Sequence, residues 1–467
     1  MLFPSKKEVQ NMNLIDRSKK PQPAEEINFT LPEIEKFKLD NGLEVYFIQK
    51  NKLPVLHLNL LVGSGSSYDP EGKKGLSNLF SMVIDEGAGE YDSLQLSDEF
   101  DAIGSHFSVS SSEDNLYFSL QTLKENFQRS LELFAKVVLQ PRFDEKDFQR
   151  EQRKMITRIL QQQDEPDEIA DSVYQFRIFS NANPYAFPVA GYEETVKGIS
   201  VEDVRRYYSN YLYPNNSSLI VVGDISKEEL QKKIAAYFGE WRRGNVSNNF
   251  SFPHHHQDKK IFIVDKKNSV QSEIRVGHLS TKRNEEDYYS RLILNTILGG
   301  QFSSRINLNL REKKGYTYGA HSRFNYFKES AYFYVSTSVG IENTANAIAE
   351  IFNELNGIQG GVTPDELEFA KSSIIRKFPS NFESNKQIAS NLIGMVIHSL
   401  PEEYFNNYVV NVKSINIGDI NSAAAKFILP EKSVTVIVGD KAKLTGQLKD
   451  FDIEIIETGI NGELKDD

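Results

Sequence analysis

An internal repeat constrains the fold of this 467-residue chain more than any other feature. Residues 199–224 (ISVEDVRRYYSNYLYPNNSSLIVVGD) align without a gap with residues 415–440 (INIGDINSAAAKFILPEKSVTVIVGD), at an offset of 216 (415 − 199). In this alignment Pro214 matches Pro430, and each copy has a helical stretch, a proline and a β-rich run that ends in Gly-Asp. A single hydrophobic core rarely grows beyond roughly 250–300 residues. The repeat therefore predicts two homologous domains.

The repeat also predicts where the domains begin and end. We expect an N-terminal extension over residues 1–30, an N-terminal domain over 31–241, a linker over 242–259 and a C-terminal domain over 260–467. The linker is polar, contains glycine and shows no hydrophobic periodicity, which is typical of a connecting segment.

Hydrophobic patterning predicts both helices and strands in each half. The predicted strands are 43–48, 55–62, 260–265 and 318–324, the stretch 101–122 is expected to be β-rich, and the predicted helices are 75–86 and 144–163. Two apolar stripes should face the core: Leu76, Leu79, Phe80, Val83 and Ile84 on the first helix, and Phe148, Met155, Ile156, Ile159 and Leu160 on the second. Strands that cluster before helices favour an α+β class over a doubly wound sheet.

Composition excludes several classes of protein. The net charge is −11, which argues against a nucleic-acid-binding surface. No cysteine is present, so disulfides and thiolate sites are excluded. No apolar run approaches the roughly 18 residues of a membrane span. The first residues show no secretory signal, which favours the cytoplasm, or the periplasm if a signal peptide has been removed.

Most histidines and acidic pairs have simple structural interpretations. Of the eight histidines only those at 254–256 cluster, and they lie in the predicted linker, where adventitious metal binding is the expected behaviour. Asp85-Glu86 and Glu113-Asp114 are interpreted as solvated residues at a helix end and in a turn.

Arg311 and Tyr318 form the most informative local pair. They lie seven positions apart in Leu-Arg-Glu-Lys-Lys-Gly-Tyr-Thr-Tyr, on either side of Gly315, a natural helix C-terminal residue. A guanidinium and a phenol held on a turn can both donate hydrogen bonds to the oxyanion of a reacting peptide. The structural alternative is that Arg311 contacts Glu312 while Tyr318 packs in the core; Tyr316 is the other candidate for the tyrosine role.

Four segments in this order resemble the insulinase (pitrilysin) superfamily, which includes mitochondrial processing peptidase and the core proteins of the cytochrome bc1 complex. The segments are Asp40-Asn41-Gly42-Leu43-Glu44-Val45, Gly75-Leu76, Asn183-Pro184-Tyr185 with Pro188 and Gly191, and the segment from Leu310 to Tyr318. The resemblance runs from about residue 37 to residue 440. It implies two α/β-sandwich domains, each a mixed or antiparallel sheet covered by helices, as in the LuxS/MPP-like metallohydrolase fold.

Active members of that family carry an inverted zinc box, His-x-x-Glu-His, which this chain lacks. Asn78 and Met82 stand at the histidine positions and Ser81 at the position of the general base. The third ligand, a glutamate about 76 residues further on, corresponds to Arg158. An amide is a poor zinc ligand, a thioether suits softer ions, and a guanidinium only donates hydrogen bonds and repels a cation.

The resemblance implies a division of labour between two subunits. Arg311 and Tyr318 would complete the zinc site of a paralogous partner that carries His-x-x-Glu-His, and the pair of subunits would cut peptides or unfolded polypeptides. This chain would itself hold no metal. Two alternatives stay open: a catalytically silent structural or peptide-binding protein like the bc1 core subunits, and a homodimer that binds peptides as a chaperone.

Overall fold

The computed structural model describes residues 30–246, 252–253 and 258–464. The predicted extension over residues 1–30, apart from its last residue, and the histidines at 254–256 lie outside the described residues. The described residues from Leu31 onward form a single compact unit. The boundaries of two separate domains therefore stay a prediction, although each half of the chain builds its own sheet.

Each sheet has six strands. The first half contributes strands β1 to β8: Glu35–Lys38, Glu44–Gln49, Val55–Val62, Gly87–Ala88, Tyr91–Asp92, His106–Ser111, Leu116–Leu123 and Ser217–Gly223. The second half contributes β9 to β14: Lys260–Asp265, Gln271–Ser280, Ala320–Tyr326, Ala331–Gly340, Val434–Gly439 and Glu454–Thr458. β4 and β5 form a separate two-stranded ribbon.

Both sheets are mixed, and their strand orders correspond. The first has the order β1-β2-β8-β3-β7-β6, in which only β2 and β8 run parallel. The second has the order β14-β9-β13-β10-β12-β11, in which β14, β9 and β13 run parallel. This confirms the α+β class. The two sheets differ at one edge, because β1 comes from the start of its half and β14 from the end.

Helices cover both faces of the sheets. Those of the first half are Leu76–Val83, Ser93–Ala102, Phe127–Leu139, Glu145–Gln162, Pro166–Phe179, Glu193–Lys197, Val201–Tyr211 and Lys227–Phe238. Those of the second half are Tyr288–Leu298, Arg305–Asn307, a π-helical turn at Leu308–Lys313, Thr344–Gln359, Pro364–Lys377, Asn385–Ile397, Tyr404–Ser414, Ile417–Phe427 and Lys441–Gln447. Short 3₁₀ turns lie at Ser66–Tyr68, Lys124–Asn126, Pro184–Ala186, Pro214–Asn216, Ile341–Asn343, Phe378–Phe382 and Pro430–Lys432.

The repeat is visible in the backbone. Helices Val201–Tyr211 and Ile417–Phe427 begin and end at positions that differ by 216 (417 − 201 and 427 − 211). Each begins with a capping box, in which Ser200 or Asn416 accepts a bond from the backbone N–H three residues on. Each then leads through a proline-led 3₁₀ turn into a buried strand. The matching caps and prolines explain why the sequence repeat predicts these elements well.

The two halves exchange helices across their sheets. Pro166–Phe179, from the first half, packs on β10 and β13 of the second sheet, and Asn385–Ile397, from the second half, packs on β3 and β8 of the first. Two hydrogen bonds to backbone oxygens accompany this exchange: the Tyr174 hydroxyl donates to the Phe333 oxygen at 2.9 Å, and the Asn385 amide donates to the Val55 oxygen at 3.0 Å. Each sheet is thus covered by its own helices on one face and by a helix of the other half on the opposite face.

Several predicted boundaries and exposures are wrong. The helix predicted over 75–86 is Leu76–Val83, the one over 144–163 is Glu145–Gln162, and part of the stretch 101–122 belongs to the helix Ser93–Ala102. The stripe on Leu76–Val83 and Ile84 is buried as predicted, but Leu160 is 43% exposed because it lies on the outer face of its helix. The hydrophobic pattern of a helix can also extend over its cap residues, which lack helical geometry. The helix is then slightly shorter than the segment that the pattern predicts.

Candidate functional site

A polar and glycine-rich loop fixes the helix Leu76–Val83, which carries Asn78, Ser81 and Met82, the residues predicted to stand at the zinc-box positions. The Asp69 carboxylate accepts hydrogen bonds from the backbone N–H groups of Gly75 at 2.9 Å and Ser77 at 2.8 Å, which satisfies two donors at the start of the helix. Burial raises the pKa of Asp69 to about 7. No sequence motif identified Asp69, because it lies six residues before the N-cap Gly75 and not at the N-cap itself, where an aspartate signals a helix start.

The four degenerate positions do not share one environment. Asn78 and Arg158 line one cavity of about 380 Å³, which we call the Asn78 cavity. Ser81 is buried, and its hydroxyl donates to the Asn78 backbone oxygen at 2.7 Å. Met82 is half-buried against the hydrophobic core. The structure therefore brings Asn78 and Arg158 together at a cavity, while the side chains of Ser81 and Met82 make local contacts.

The segment around Pro188 and Gly191, one of those that resemble the insulinase family, forms a wall of the Asn78 cavity. Gly191 has a positive φ of 66°, and a Cβ there would come within 2.0 Å of the Lys74 backbone oxygen. A Cβ at Gly75, which is also at positive φ, would come within 2.6 Å of the Ala190 oxygen. The two glycines therefore let the segment pass directly over the start of the box helix.

The residues at the box positions do not fit a zinc ion. The Asn78 amide and the Met82 thioether are poor ligands for zinc, and the Arg158 cation opposes any metal ion in the Asn78 cavity. Throughout the part of the chain that the structure describes, no group of three or more His, Cys, Asp and Glu side chains is arranged to hold a metal ion.

The buried carboxylate Glu151 lies on the same helix as Arg158, seven residues earlier. Arg150 and Lys154 neutralise it, with contacts of 2.9 Å and 2.7 Å. Arg150 also contacts Asp147 and Glu86. Glu151 thus belongs to a structural ion-pair network.

Arg311 and Tyr318 lie on a turn of unusual geometry. Arg311 sits in the π-helical turn Leu308–Lys313, and Gly315 follows with a φ of 68°, the left-handed conformation expected after a helix end. The Tyr316 N–H donates to the Leu310 oxygen at 2.9 Å and closes the turn. The prediction that Tyr318 begins a strand is wrong: β11 begins at Ala320, because Tyr318 lies in a loop braced by the hydroxyl of Thr317.

Hydrogen bonds anchor both ends of that loop. The Thr317 hydroxyl donates to the Gly319 oxygen at 2.9 Å, and the Thr337 hydroxyl, on β12, donates to the same oxygen at 3.1 Å. The Asn307 side chain accepts the Ala320 N–H at 3.0 Å. The backbone around Tyr318 is therefore held in place while its side chain is left in solvent.

Tyr318 is 92% exposed, so the alternative in which it packs in the core is wrong. Tyr316 instead lies partly buried against the core of the second half. The Arg311 guanidinium contacts the neighbouring Glu312 carboxylate at 3.5 Å and stacks over the Phe302 ring at 4.6 Å from its centroid. Phe302 is itself 62% exposed and was not identified from the sequence.

The interpretation of Glu113-Asp114 as solvated is also wrong for Asp114, which is buried. Its carboxylate accepts hydrogen bonds from the Tyr185 hydroxyl and from the Lys328 backbone N–H, the latter at 2.8 Å. Burial raises the pKa of Asp114. The bond from Lys328 joins the two halves of the chain, as does a bond from the Glu329 N–H to the Tyr185 hydroxyl. The other acidic pair, Asp85-Glu86, is half-buried, and burial together with the charge of Glu86 raises the pKa of Asp85 to about 7.

Among the described residues, no helix is long and apolar enough to cross a membrane.

Comparison with known proteins gives relatives along most of the chain. A protein from Bacillus subtilis named uncharacterized zinc protease YmxG is 22% identical over 86% of this chain and 98% of its own. Two Helicobacter pylori proteins also match: non-peptidase homolog YmxG, 22% identical over 81% of this chain and 87% of its own, and zinc protease PqqE, 23% identical over 87% and 93%. The relatives thus include proteins named as proteases and one named as a non-peptidase.

Solved structures share the fold. The peptidase M16 inactive domain from Pseudomonas fluorescens superposes with a TM-score of 0.82 at 23% identity, over 87% of this chain and 98% of that chain. A protease from Helicobacter pylori superposes with a TM-score of 0.78 at 20% identity, over 87% and 100%.

Two family models match the chain. Residues 45–183 match the model described as Insulinase (Peptidase family M16), and residues 198–374 match the model described as Peptidase M16 inactive domain. The two models match 316 of the 467 residues (139 and 177). The protein belongs to the peptidase M16, or insulinase, family.

Proposed function

We propose that this protein is the zinc-less subunit of a heterodimeric M16 peptidase. In this proposal a paralogous subunit carries His-x-x-Glu-His and the zinc ion, and this chain supplies Arg311 and Tyr318 for the hydrolysis of peptides or unfolded polypeptides. The residues at its own box positions support the first part of the proposal, since Asn78, Met82 and Arg158 are unsuited to zinc.

The exposure of Tyr318 is the observation that carries the proposal. A tyrosine that is 92% exposed contributes little to its own fold, and its hydroxyl has no hydrogen-bond partner in the described part of the chain. The loop beneath it is nevertheless held by the bonds of Thr317, Thr337 and Asn307. A rigid support under an unpartnered donor is what binding to another molecule requires.

The chemistry of the pair suits a peptide carbonyl. The Tyr318 hydroxyl and the Arg311 guanidinium would donate hydrogen bonds to the carbonyl oxygen of the peptide and hold it in position. Both bonds strengthen as negative charge develops on that oxygen during attack by water. Removal of one such donor typically lowers the rate by about 10²–10³.

The names of the relatives give partial support. A Helicobacter pylori relative is named a non-peptidase homolog, and a Bacillus subtilis relative is named a probable inactive metalloprotease. Others are named zinc proteases. A family that contains both kinds of protein suits a partnership between an active subunit and an inactive one.

Reconstitution tests the proposal. The chain is purified alone and with a paralogous subunit that bears the intact box, and each sample is assayed for zinc content and for cleavage of an unfolded polypeptide. We expect negligible zinc and activity in the chain alone and chelator-sensitive cleavage by the complex, which Arg311→Ala and Tyr318→Phe both reduce. Stoichiometric zinc in the isolated chain would contradict the proposal.

A catalytically silent role, like that of the bc1 core subunits, is the second candidate. One observation favours it: Arg311 already has two contacts within its own chain, with Glu312 and Phe302, which are sufficient for a structural role. This candidate predicts that Arg311→Ala leaves the activity of the complex unchanged. Gel filtration of the isolated chain separates both candidates from the homodimeric chaperone.

A further inference from the structure

The Asn78 cavity contains a positive charge without a partner. Arg158 lines it from the helix Glu145–Gln162, and the guanidinium has no ion pair or hydrogen bond with any residue of the described ranges. The Asn78 side-chain amide, on the helix Leu76–Val83, is likewise unbonded among those residues. Two hydrogen-bond donors on separate helices therefore face the same space of about 380 Å³.

The acidic residues that line the Asn78 cavity form no ion pair with Arg158. Asp171 also lines it but is paired with the buried Arg275, whose Nε lies 2.5 Å from the carboxylate. Glu168, on the same helix as Asp171, lines the cavity too, without an ion pair to Arg158. Arg158 therefore remains available to an anion from outside the chain.

The composition of the walls favours a peptide over a simple inorganic anion. Glu168 can accept hydrogen bonds, and Gln162, on the Arg158 helix, can donate and accept them. Such walls suit a ligand in which a carboxylate lies beside backbone N–H and C=O groups. A cavity of about 380 Å³ also lies within the range of roughly 300–1,000 Å³ that is typical of small-ligand sites.

We propose that the Asn78 cavity binds a carboxylate of a peptide, held by the Arg158 guanidinium and the Asn78 amide. The carboxylate comes either from the C-terminus of the peptide or from an acidic side chain, because both present the same two oxygens to the guanidinium. In this proposal, positions predicted to correspond to zinc ligands form an anion site instead. This inference is independent of the proposed function, since it concerns the chain alone.

Peptide binding to the purified full-length chain tests the proposal by isothermal titration calorimetry. The probes are two matched pairs: acetylated tri-alanine with a free C-terminal carboxylate against its C-terminal amide, and acetyl-Ala-Glu-Ala-amide against acetyl-Ala-Gln-Ala-amide. We expect at least one acidic member to bind about tenfold or more tightly than its neutral counterpart, the effect of one charge-assisted hydrogen bond. The pair that shows the preference identifies the source of the carboxylate.

Variants test whether Arg158 is responsible for the tighter binding of acidic peptides. Arg158→Gln should abolish it, and Arg158→Lys, which keeps the charge, should retain part of it. Arg153→Gln is the matched control, because Arg153 is an exposed arginine on the same helix that does not line the Asn78 cavity. Thermal unfolding verifies that each variant is folded. Equal binding of acidic and neutral peptides, or a preference that survives in Arg158→Gln, would overturn the proposal.

Discussion

The guanidinium of Arg311 lies 4.6 Å from the centroid of the Phe302 ring, and both residues are accessible to solvent. A cation over an aromatic face at an exposed site is stabilised by about 0.5–1 kcal/mol. Together with the contact to Glu312, Phe302 thus restricts the positions of the Arg311 side chain. We regard Phe302 as a positioning residue for Arg311.

Phe302→Ala should lower the activity of the reconstituted complex modestly, by about two- to fivefold in kcat/KM, because it removes only the cation–π contact that orients Arg311. Arg311→Ala should cost much more. Phe302→Trp should retain most of the activity, since tryptophan offers a better cation–π surface. Steady-state kinetics with one peptide substrate measures all three variants.

Phe369 provides the control, since it is another exposed phenylalanine, on the helix Pro364–Lys377. Phe369→Ala should leave kcat/KM unchanged. A loss in Phe302→Ala as large as that in Arg311→Ala would show that the ring does more than position the guanidinium.

Substitution of Tyr316 and of Tyr318 should have very different effects on the activity of the complex. Tyr318→Phe removes a hydroxyl that points into solvent, so we expect an unchanged melting temperature and a fall in activity of the complex by about 10²–10³. Tyr316→Phe should have little effect on activity, because Tyr316 packs against the core. Equal losses in the two variants would argue that the loop as a whole matters, rather than the Tyr318 hydroxyl.

The free energy of unfolding should fall as the pH rises from about 4 to 7. The pKa of Asp85 is about 7 in the folded chain and near 3.8 in the unfolded chain. In this range the folded state holds a proton that the unfolded state releases, so a higher pH favours unfolding by up to about 1.4 kcal/mol per pH unit. Asp85→Asn should lessen this dependence and gain stability relative to wild type at pH 8, as measured by urea denaturation.

Asp203 is the control, because its pKa in the folded chain is shifted in the opposite direction to that of Asp85. Burial acts to raise its pKa, but hydrogen bonds from Ser200 and Lys73 outweigh this and lower it to about 2. Its stabilising effect is therefore complete above about pH 4 and is lost only as the pH falls towards 2. Asp203→Asn should be destabilised by a constant amount between pH 5 and 8. A steeper pH dependence in Asp85→Asn than in wild type would contradict the assignment.

The Tyr185 hydroxyl, which bonds both Asp114 and the Glu329 backbone N–H, should stabilise the joint between the halves. Tyr185→Phe removes the hydroxyl that donates to the buried Asp114 carboxylate and accepts the Glu329 N–H, so the free energy of unfolding should fall by about 1–3 kcal/mol. Tyr237→Phe is the control, since its hydroxyl makes an exposed hydrogen bond with Gln128. Similar unfolding free energies for the two variants would show that the Asp114 bond is not important for stability.

Local patterns predicted a large part of the fold. The repeat anticipated helices and strands at equivalent places in the two halves, because caps, prolines and alternating apolar residues act over a few residues along the chain. Gly315 correctly marked a helix end before Tyr318 for the same reason. Leu160 and Asp114 were misplaced, because their burial depends on what packs against them rather than on their immediate neighbours.

The candidate site shows even more clearly the difference between what local sequence patterns predict and what only tertiary packing determines. The resemblance to the insulinase family pointed to Asn78, Ser81, Met82 and Arg158, and the chemistry of these side chains was enough to argue against a zinc site; the local segment around Gly315 pointed to Arg311 and Tyr318. The amino-acid order carries no information about the stacking of Phe302 on Arg311 or about the cavity shared by Asn78 and Arg158. Those contacts arise from the packing of segments distant in sequence, and the exchange of helices between the two sheets arises in the same way.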